Sequence, residues 1–204
     1  MRLIIVRHGQ TNHNVRGVVQ GSDVRLNKIG RRQAKKVALK LSREEIDIIF
    51  SSDLRRAADT AREIARFHKV PVYYVKELRE RNAGEFEGMS HERFAGIIRA
   101  SGVPLLDFKP EKGESLAEMS DRAGRFAGRI CREYKGKTVL LVTHGGVVKA
   151  LASLYFNTPL EEQFKLRTVN TGVLVLEVTG SRGRKVRDEM FSEGDKEVEV
   201  FGRL

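Results

Sequence analysis

Leu3-Ile-Ile-Val6 is an unbroken apolar run in which three of the four residues are β-branched, and such a run reads as a strand buried on both faces. A strand covered on both sides requires helices above and below it, so the chain is restricted to a layered α/β arrangement. Arg7-His8-Gly9 stands directly beyond this strand, at the end where open α/β sheets place their ligands. A second apolar run, Thr138-Val-Leu-Leu-Val-Thr143, ends in the same way in His144-Gly-Gly146. In a parallel sheet all carboxyl ends point one way, so the two histidines are expected to converge. The glycine after each histidine permits close approach of a ligand to the backbone. A lone histidine is more often structural, but a matched pair with an arginine beside one of them favours a site. His13, His68 and His91 have no such setting and are expected on loops or at the surface.

The rest of the chain alternates between helical and strand patterns. Residues 10–25 form a polar, Gly-containing loop, and Asn27 caps a helix through Ser42 with Ala34, Val37, Ala38 and Leu41 on its apolar face. Ile46–Phe50 reads as a second strand, Ser51-Ser-Asp53 follows, and a helix runs to about His68. Pro71–Val75 is a short strand near a sheet edge because of its proline. Residues 76–89 form a second loop, Ser90 caps a helix through Ala100, and residues 101–114 with Pro104 and Pro110 are a surface excursion. Ser115 and Glu118 make a capping box that opens a helix ending at Gly136. A helix from about Gly146 to Phe156 is followed by a short one opened by Thr158-Pro159 and a strand over Gly172–Val178. Gly180–Lys185 looks like a turn, and Lys196–Phe201 alternates like an edge strand. These elements predict an α/β three-layer sandwich with a mostly parallel central sheet flanked by helices. One domain is expected over residues 1–204, with residues 76–114 as an excursion over the functional end of the sheet.

Composition narrows the function classes. No apolar run approaches the ~18 residues that cross a bilayer, and the first residues lack the features of a signal peptide. The single cysteine, Cys131, excludes an internal disulfide framework and points to a reducing compartment, so a cytoplasmic protein is expected. The net charge of +11 fits a solvated charged surface or attraction of small anions better than nucleic-acid binding, because the basic residues are spread along the chain. Arg55, one turn into the helix after the second strand, is placed to face an anion together with that helix's N-terminus, although a solvated arginine fits Arg56 equally well.

Taken together, Arg7-His8-Gly9-Gln10-Thr11 with Asn14, Ser51-Ser-Asp-Leu-Arg55-Arg-Ala57, Leu78-Arg-Glu80 with Gly84-Glu-Phe-Glu-Gly88, and Thr143-His144-Gly-Gly146 resemble the histidine phosphatase superfamily. Within it the chain is similar to the phosphoglycerate mutase-like branch, and Gln20-Gly21, Asp23, Leu26, Gly30 and Gln33-Ala34 also fit. The resemblance implies that His8 is the nucleophile and becomes phosphohistidine, and that Glu80 protonates the leaving oxygen and then activates water. It implies a phosphate-binding set of Arg7, Asn14, Gln20, Gly21, Arg55, His144 and Gly145, with no metal and no cofactor. A neutral imidazole nitrogen can attack phosphorus without metal activation, and fixed cations can carry the charge that Mg²⁺ carries elsewhere.

The family often has glutamate at position 10, tryptophan at 13 and 86 and an aromatic residue at 83, where this chain has Gln10, His13, Phe86 and Ala83. These positions bear on substrate identity rather than on mechanism. Mutases of the branch also carry a longer insertion with two adjacent arginines after the acid loop, and residues 89–114 contain no such pair. A metal-independent phosphatase acting on a small phosphorylated metabolite is therefore expected. The competing readings are a cofactor-dependent phosphoglycerate mutase and a non-catalytic basic binding protein. No membrane partner is expected, and dimers are common among relatives.

Overall fold

In the computed structural model, which describes residues 1–179 and 182–192, the apolar run at Leu3 becomes β1 (Arg2–Arg7) near the middle of a six-stranded sheet. Beside it lie β4 (Thr138–Thr143), β2 (Ile48–Ser52) and the edge strand β3 (Val72–Val75), all parallel. On the other side β6 (Val173–Thr179) runs antiparallel to β1, and β7 (Arg182–Asp188) closes that edge antiparallel to β6. A separate two-stranded ribbon pairs β5 (Arg167–Thr168) with β8 (Phe191–Ser192).

Strand alternation sorts the core into two layers. Leu3, Ile5, Val139 and Leu141 face α5 (Leu116–Glu133) and α6 (Gly145–Phe156), where Met119, Phe126, Val148 and Leu151 cover them. Ile4, Val6, Leu140 and Val142 face α2 (Lys28–Leu41) and α3 (Arg55–Ala65), packing on Val37, Leu41, Ala57, Ala61 and Ile64. The sandwich is therefore three layers deep, as the patterning requires. Short helices α1 (Asn12–Arg16) and α7 (Leu160–Lys165) and the helix α4 (His91–Ser101) lie in the connections. A small cluster of Val19, Ala83, Phe94 and Ile98 knits α4 to the loops before it.

Several boundaries differ from the patterning. The second strand begins at Ile48, because the Asp47 carboxylate turns aside to accept from the Thr138 amide and Lys137 Nζ. The 10–25 loop contains α1, closed by a reciprocal cap between Thr11 and Asn14. α5 ends at Glu133 rather than Gly136, and Gly136 instead takes a positive φ of 78° in the turn to β4. Arg182–Lys185, expected in a turn, is the start of β7; an edge strand accommodates a charged run that a central strand would not. Gly180, Ser181 and the Lys196–Phe201 segment lie outside the described residues.

The loop leaving β1 is pressed against α2 through two glycines. A Cβ on Gly30 would sit 2.0 Å from the Gln10 carbonyl oxygen, and one on Gly9 would sit 2.5 Å from the Gly30 carbonyl oxygen. Gly30→Ala is expected to lower stability by about 1–3 kcal/mol, seen as a lower urea midpoint at unchanged slope.

Candidate active site

The register of β1 on β4 sets Val6 beside Val142 and Arg7 beside Thr143, so His8 and His144 leave the sheet as neighbours. Their ring centroids are 5.1 Å apart, and both rings are buried. The His8 amide donates to the Thr143 carbonyl at 2.9 Å, and Asn170 Nδ2 donates to the His8 carbonyl at 3.0 Å. His8 Nδ1 lies 2.7 Å from the Gly9 carbonyl oxygen. A carbonyl only accepts, so the proton of the neutral ring sits on Nδ1 and Nε2 carries the free lone pair. His144 Nε2 meets Ser52 Oγ at 2.8 Å, while its buried Nδ1 has no hydrogen-bond partner among the described residues.

Both imidazoles titrate well below the usual histidine range, first because burial penalises their charged forms and then because Arg56 and Arg7 repel a further positive charge. Above pH 6.5 the folded and unfolded chains hold these rings equally neutral. Below it the unfolded chain takes up protons that the native site refuses, so stability falls with pH. Two such histidines set a loss of up to about 2.7 kcal/mol per pH unit below 6.5. Thermal melts between pH 7 and 5 check this, and a Tm independent of pH in that window contradicts it.

Arg7 and Arg56 supply the positive charge. Arg7 Nη1 donates to the Thr168 carbonyl, and Arg56 Nη1 donates to the Gly21 carbonyl at 2.8 Å. The Nε of each is buried without a hydrogen-bond partner among the described residues. Burial lowers both guanidinium pKa values to about 10, which leaves them charged at neutral pH.

Arg55, the arginine expected in the site, is not there. Its side chain is 52% exposed and pairs with Asp23 at 2.7 Å, whereas Arg56 is 1% exposed. The reason is helical phase: relative to the buried stripe of α3 at Ala57, Ala61 and Ile64, Arg55 falls on the opposite side and Arg56 on its flank. Arg56 also stands one turn before buried Thr60, whose hydroxyl donates to the Arg56 carbonyl and accepts from the Gly9 amide. That i,i+4 relation to a buried threonine is the signal in the sequence that separates the two arginines.

Glu80 reaches the same place from the loop after β3. Its Oε2 accepts from the Gly146 amide at 3.0 Å, in the first turn of α6, and its Oε1 accepts from the Arg81 amide at 3.1 Å. A Cβ on Gly146 would sit 2.3 Å from Glu80 Oε1. Gly146→Ala is therefore expected to displace the carboxylate and lower kcat by about 10–100-fold, with a thermal midpoint close to wild type. Steady-state rates beside a melt decide it.

The remaining expected residues lie around this cluster. Gly145 is the first residue of α6, and a Cβ there would meet Thr168 Oγ1 at 3.0 Å and Arg7 Nε at 3.5 Å. Asn14 Oδ1 accepts from the Thr11 amide at 3.0 Å, which orients its amide group. Gln20 Oε1 accepts from Thr11 Oγ1 at 2.9 Å. The Gly21 carbonyl holds Arg56, so the structure connects Gln20 and Gly21 to the residues that frame the site.

Three further basic side chains appear beside the site: Arg81, Lys149 and His91. Arg81 stacks over Phe94 with its guanidinium carbon 5.0 Å from the ring centre. Lys149, one turn into α6, donates to the Phe164 carbonyl at 3.0 Å, and burial lowers its pKa to about 8. His91 is not a surface bystander: it is partly buried and interacts electrostatically with Glu80, Arg7 and Arg81. Among the described residues no group of three or more His, Cys, Asp or Glu side chains is arranged to hold a metal, and no helix is long and apolar enough to cross a membrane. A depression of about 810 Å³ between α5 and α6, lined by Gly124, Arg125, Gly128, Arg129 and Leu154, holds none of the site residues.

The profile of the histidine phosphatase superfamily (branch 1) matches residues 3–189. The chain is 39% identical to "Phosphoglycerate mutase-like protein 4" of Arabidopsis thaliana over 73% of its own length and 68% of that protein. It is 36% identical to "Metal-independent phosphoserine phosphatase" of the same plant, over 73% of this chain and 66% of that one. Among solved structures, a mycobacterial glucosyl-3-phosphoglycerate phosphatase complexed with VO3 superposes with a TM-score of 0.81 at 29% identity, covering 92% of this chain and 98% of that one.

Proposed function

Because this chain belongs to branch 1 of the histidine phosphatase superfamily, and is a phosphatase like its named relatives, we propose that His8, Arg7, Arg56, His144 and Glu80 perform the hydrolysis. His8 Nε2 attacks the phosphorus of a small phosphate monoester while Nδ1–H stays on the Gly9 carbonyl. The bond from phosphorus to the ester oxygen breaks, and Glu80 gives its proton to that oxygen, releasing the alcohol. Arg7 and Arg56 hold the equatorial oxygens, as fixed cations in the role that Mg²⁺ fills in other phosphoryl-transfer sites. Donation by the Ser52 hydroxyl to His144 Nε2 puts the His144 proton on the unpartnered Nδ1, ready to donate to a phosphoryl oxygen. In the second step Glu80, now a carboxylate, takes a proton from water as the water attacks phosphorus. The bond to His8 Nε2 breaks, and phosphate leaves.

The observation that carries this reading is the bond between His8 Nδ1 and the Gly9 carbonyl, which leaves Nε2 unprotonated in a ring that burial, and then two arginines, keep neutral. Hydrolysis rather than mutase transfer is favoured because residues 89–114, which form α4 and its flanking turns, contain no adjacent arginine pair to hold a bisphosphate. We place the protein in the cytoplasm as one domain over 1–204, since its one cysteine, Cys131, suits a reducing compartment. A panel of phosphate esters assayed in excess chelator tests the reading. Release of inorganic phosphate at an undiminished rate is expected, and chelator-sensitive turnover or transfer of the phosphoryl group to a second hydroxyl would overturn it.

A further inference from the structure

Glu80 stands on a loop, and a carboxylate on a loop is aimed only as well as the main chain beneath it is held. Its oxygens accept from two amides, of Gly146 and of Arg81, and the Arg81 amide belongs to the loop itself. The backbone on either side of Glu80 is fixed from α5 by two side chains outside the chemistry, Arg122 and Glu114. Upstream, Arg122 Nη1 lies 3.3, 2.7 and 3.1 Å from the carbonyl oxygens of Lys76, Glu77 and Arg79. The Leu78 carbonyl, which Arg122 does not reach, accepts from Thr143 Oγ1 at 2.8 Å. Downstream, the Glu114 amide donates to the Asn82 carbonyl at 2.9 Å, and Glu114 Oε2 faces the Asn82 amide at 3.4 Å.

The two side chains are joined to each other. Arg122 Nε and Nη2 donate to the two oxygens of Glu114 at 2.8 and 2.7 Å, so one edge of the guanidinium takes a carboxylate and the opposite corner takes carbonyls. A planar fork with five donors can do both at once, whereas an ammonium cannot. The pair is sheltered, at 21% and 20% exposure, and stands at the edge of the buried face of α5. A Cβ on Gly113 would sit 2.8 Å from the Asn82 carbonyl oxygen, so the chain entering Glu114 is pressed onto the same loop. From the other side, Arg79 is held bidentately by Asp53 at 2.6 Å to each oxygen. Glu80 therefore sits between two fixed points, the Arg79 carbonyl and the Asn82 peptide.

We propose, resting on the phosphatase reading above, that Arg122 and Glu114 are positioning residues for the reaction, a clasp that closes over the backbone on both sides of Glu80 and holds its carboxylate at the ester oxygen. Both acts of Glu80 depend on the clasp, whereas phosphate binding and attack by His8 do not.

Leaving-group dependence separates positioning from mere stability. An alkyl ester such as glycerol 3-phosphate departs as an alkoxide and needs the acid, while p-nitrophenyl phosphate departs as a phenolate that is stable near neutral pH. Arg122→Met is expected to lower kcat/KM about 10–100-fold for glycerol 3-phosphate but to stay within about threefold of wild type for p-nitrophenyl phosphate. Glu114→Gln, which keeps its amide on Asn82, is expected to show the same split at about 3–10-fold, and it carries the test if Arg122→Met does not fold. Arg122→Lys is expected to recover little of the loss, because it restores charge without the fork. Equal losses on both esters in the folded variants, no loss on either, or full recovery in Arg122→Lys overturns the clasp and leaves the phosphatase reading intact. If wild type releases phosphate from neither ester, the phosphatase reading falls and the clasp with it.

Discussion

His8→Ala is expected to lower kcat on any phosphate ester by about 10⁴-fold or more, while the protein stays folded. The size of the effect follows from the position of the ring. His8 is held at its backbone by Thr143 and Asn170 and at Nδ1 by Gly9, so a single nitrogen is left to react. Without it, the arginines proposed to hold phosphate would have no nucleophile to present to phosphorus. The fold is expected to survive because the removed ring is neutral, so no partner is left as an unpaired buried charge. Steady-state assay with p-nitrophenyl phosphate, beside a circular dichroism melt, reads both halves of this expectation. A variant with near wild-type turnover would remove His8 from the mechanism.

Arg56→Met is the second large effect, a fall of about 10²–10³-fold in kcat/KM, while Arg55→Gln is expected to remain within about twofold of wild type. Arg56 brings a buried guanidinium beside His8 and His144, with an Nε that has no hydrogen-bond partner among the described residues. Arg55 spends its charge on an exposed pair with Asp23, an interaction that contributes at most about 1 kcal/mol to stability. Stability distinguishes loss of function from loss of fold. Burial penalises the Arg56 charge by more than Glu80 and Glu87 attract it, so a methionine of similar length is expected to leave the midpoint unchanged or raise it. If Arg55→Gln carries the large loss instead, the phase assigned to α3 is wrong at this site.

The two strands that build the site were plain in the sequence because their signal is local. Leu3–Val6 and Val139–Val142 are apolar runs that only a doubly covered sheet can bury, and each carries its histidine at the next turn. The caps at Asn27, Ser90 and Ser115 were legible for the same reason, since each side chain bonds an amide three residues on. The choice between Arg55 and Arg56 was harder. Both are basic residues in one turn of a helix, and the difference is a rotation of about 100° that shows only once the buried stripe and Thr60 are set against it.

Thr168 and Thr171 were missed because they act through the main chain. The Thr168 carbonyl takes Arg7, and the Thr171 amide donates to the Arg7 carbonyl at 3.1 Å, with Thr171 at a positive φ of 56°. No side-chain pattern announces a carbonyl. Lys149 and Arg81 escaped notice for a different reason. Each looks like an ordinary helix or loop cation until the sheet end, α6 and the acid loop are assembled around Glu80. Residues 182–185 read as a turn because their charges mimic one, and only pairing with β6 makes them a strand.

The proposed mechanism requires the phosphoryl group to pass through a covalent bond to His8. Rapid quenching of the enzyme during turnover of a labelled ester, under alkaline conditions that preserve phosphohistidine, followed by mapping of the modified peptide, tests it most directly. Label on the peptide containing His8, formed and discharged at rates that account for kcat and absent from His8→Ala, is the predicted result. Full turnover with no labelled protein, or label on another residue, would contradict it.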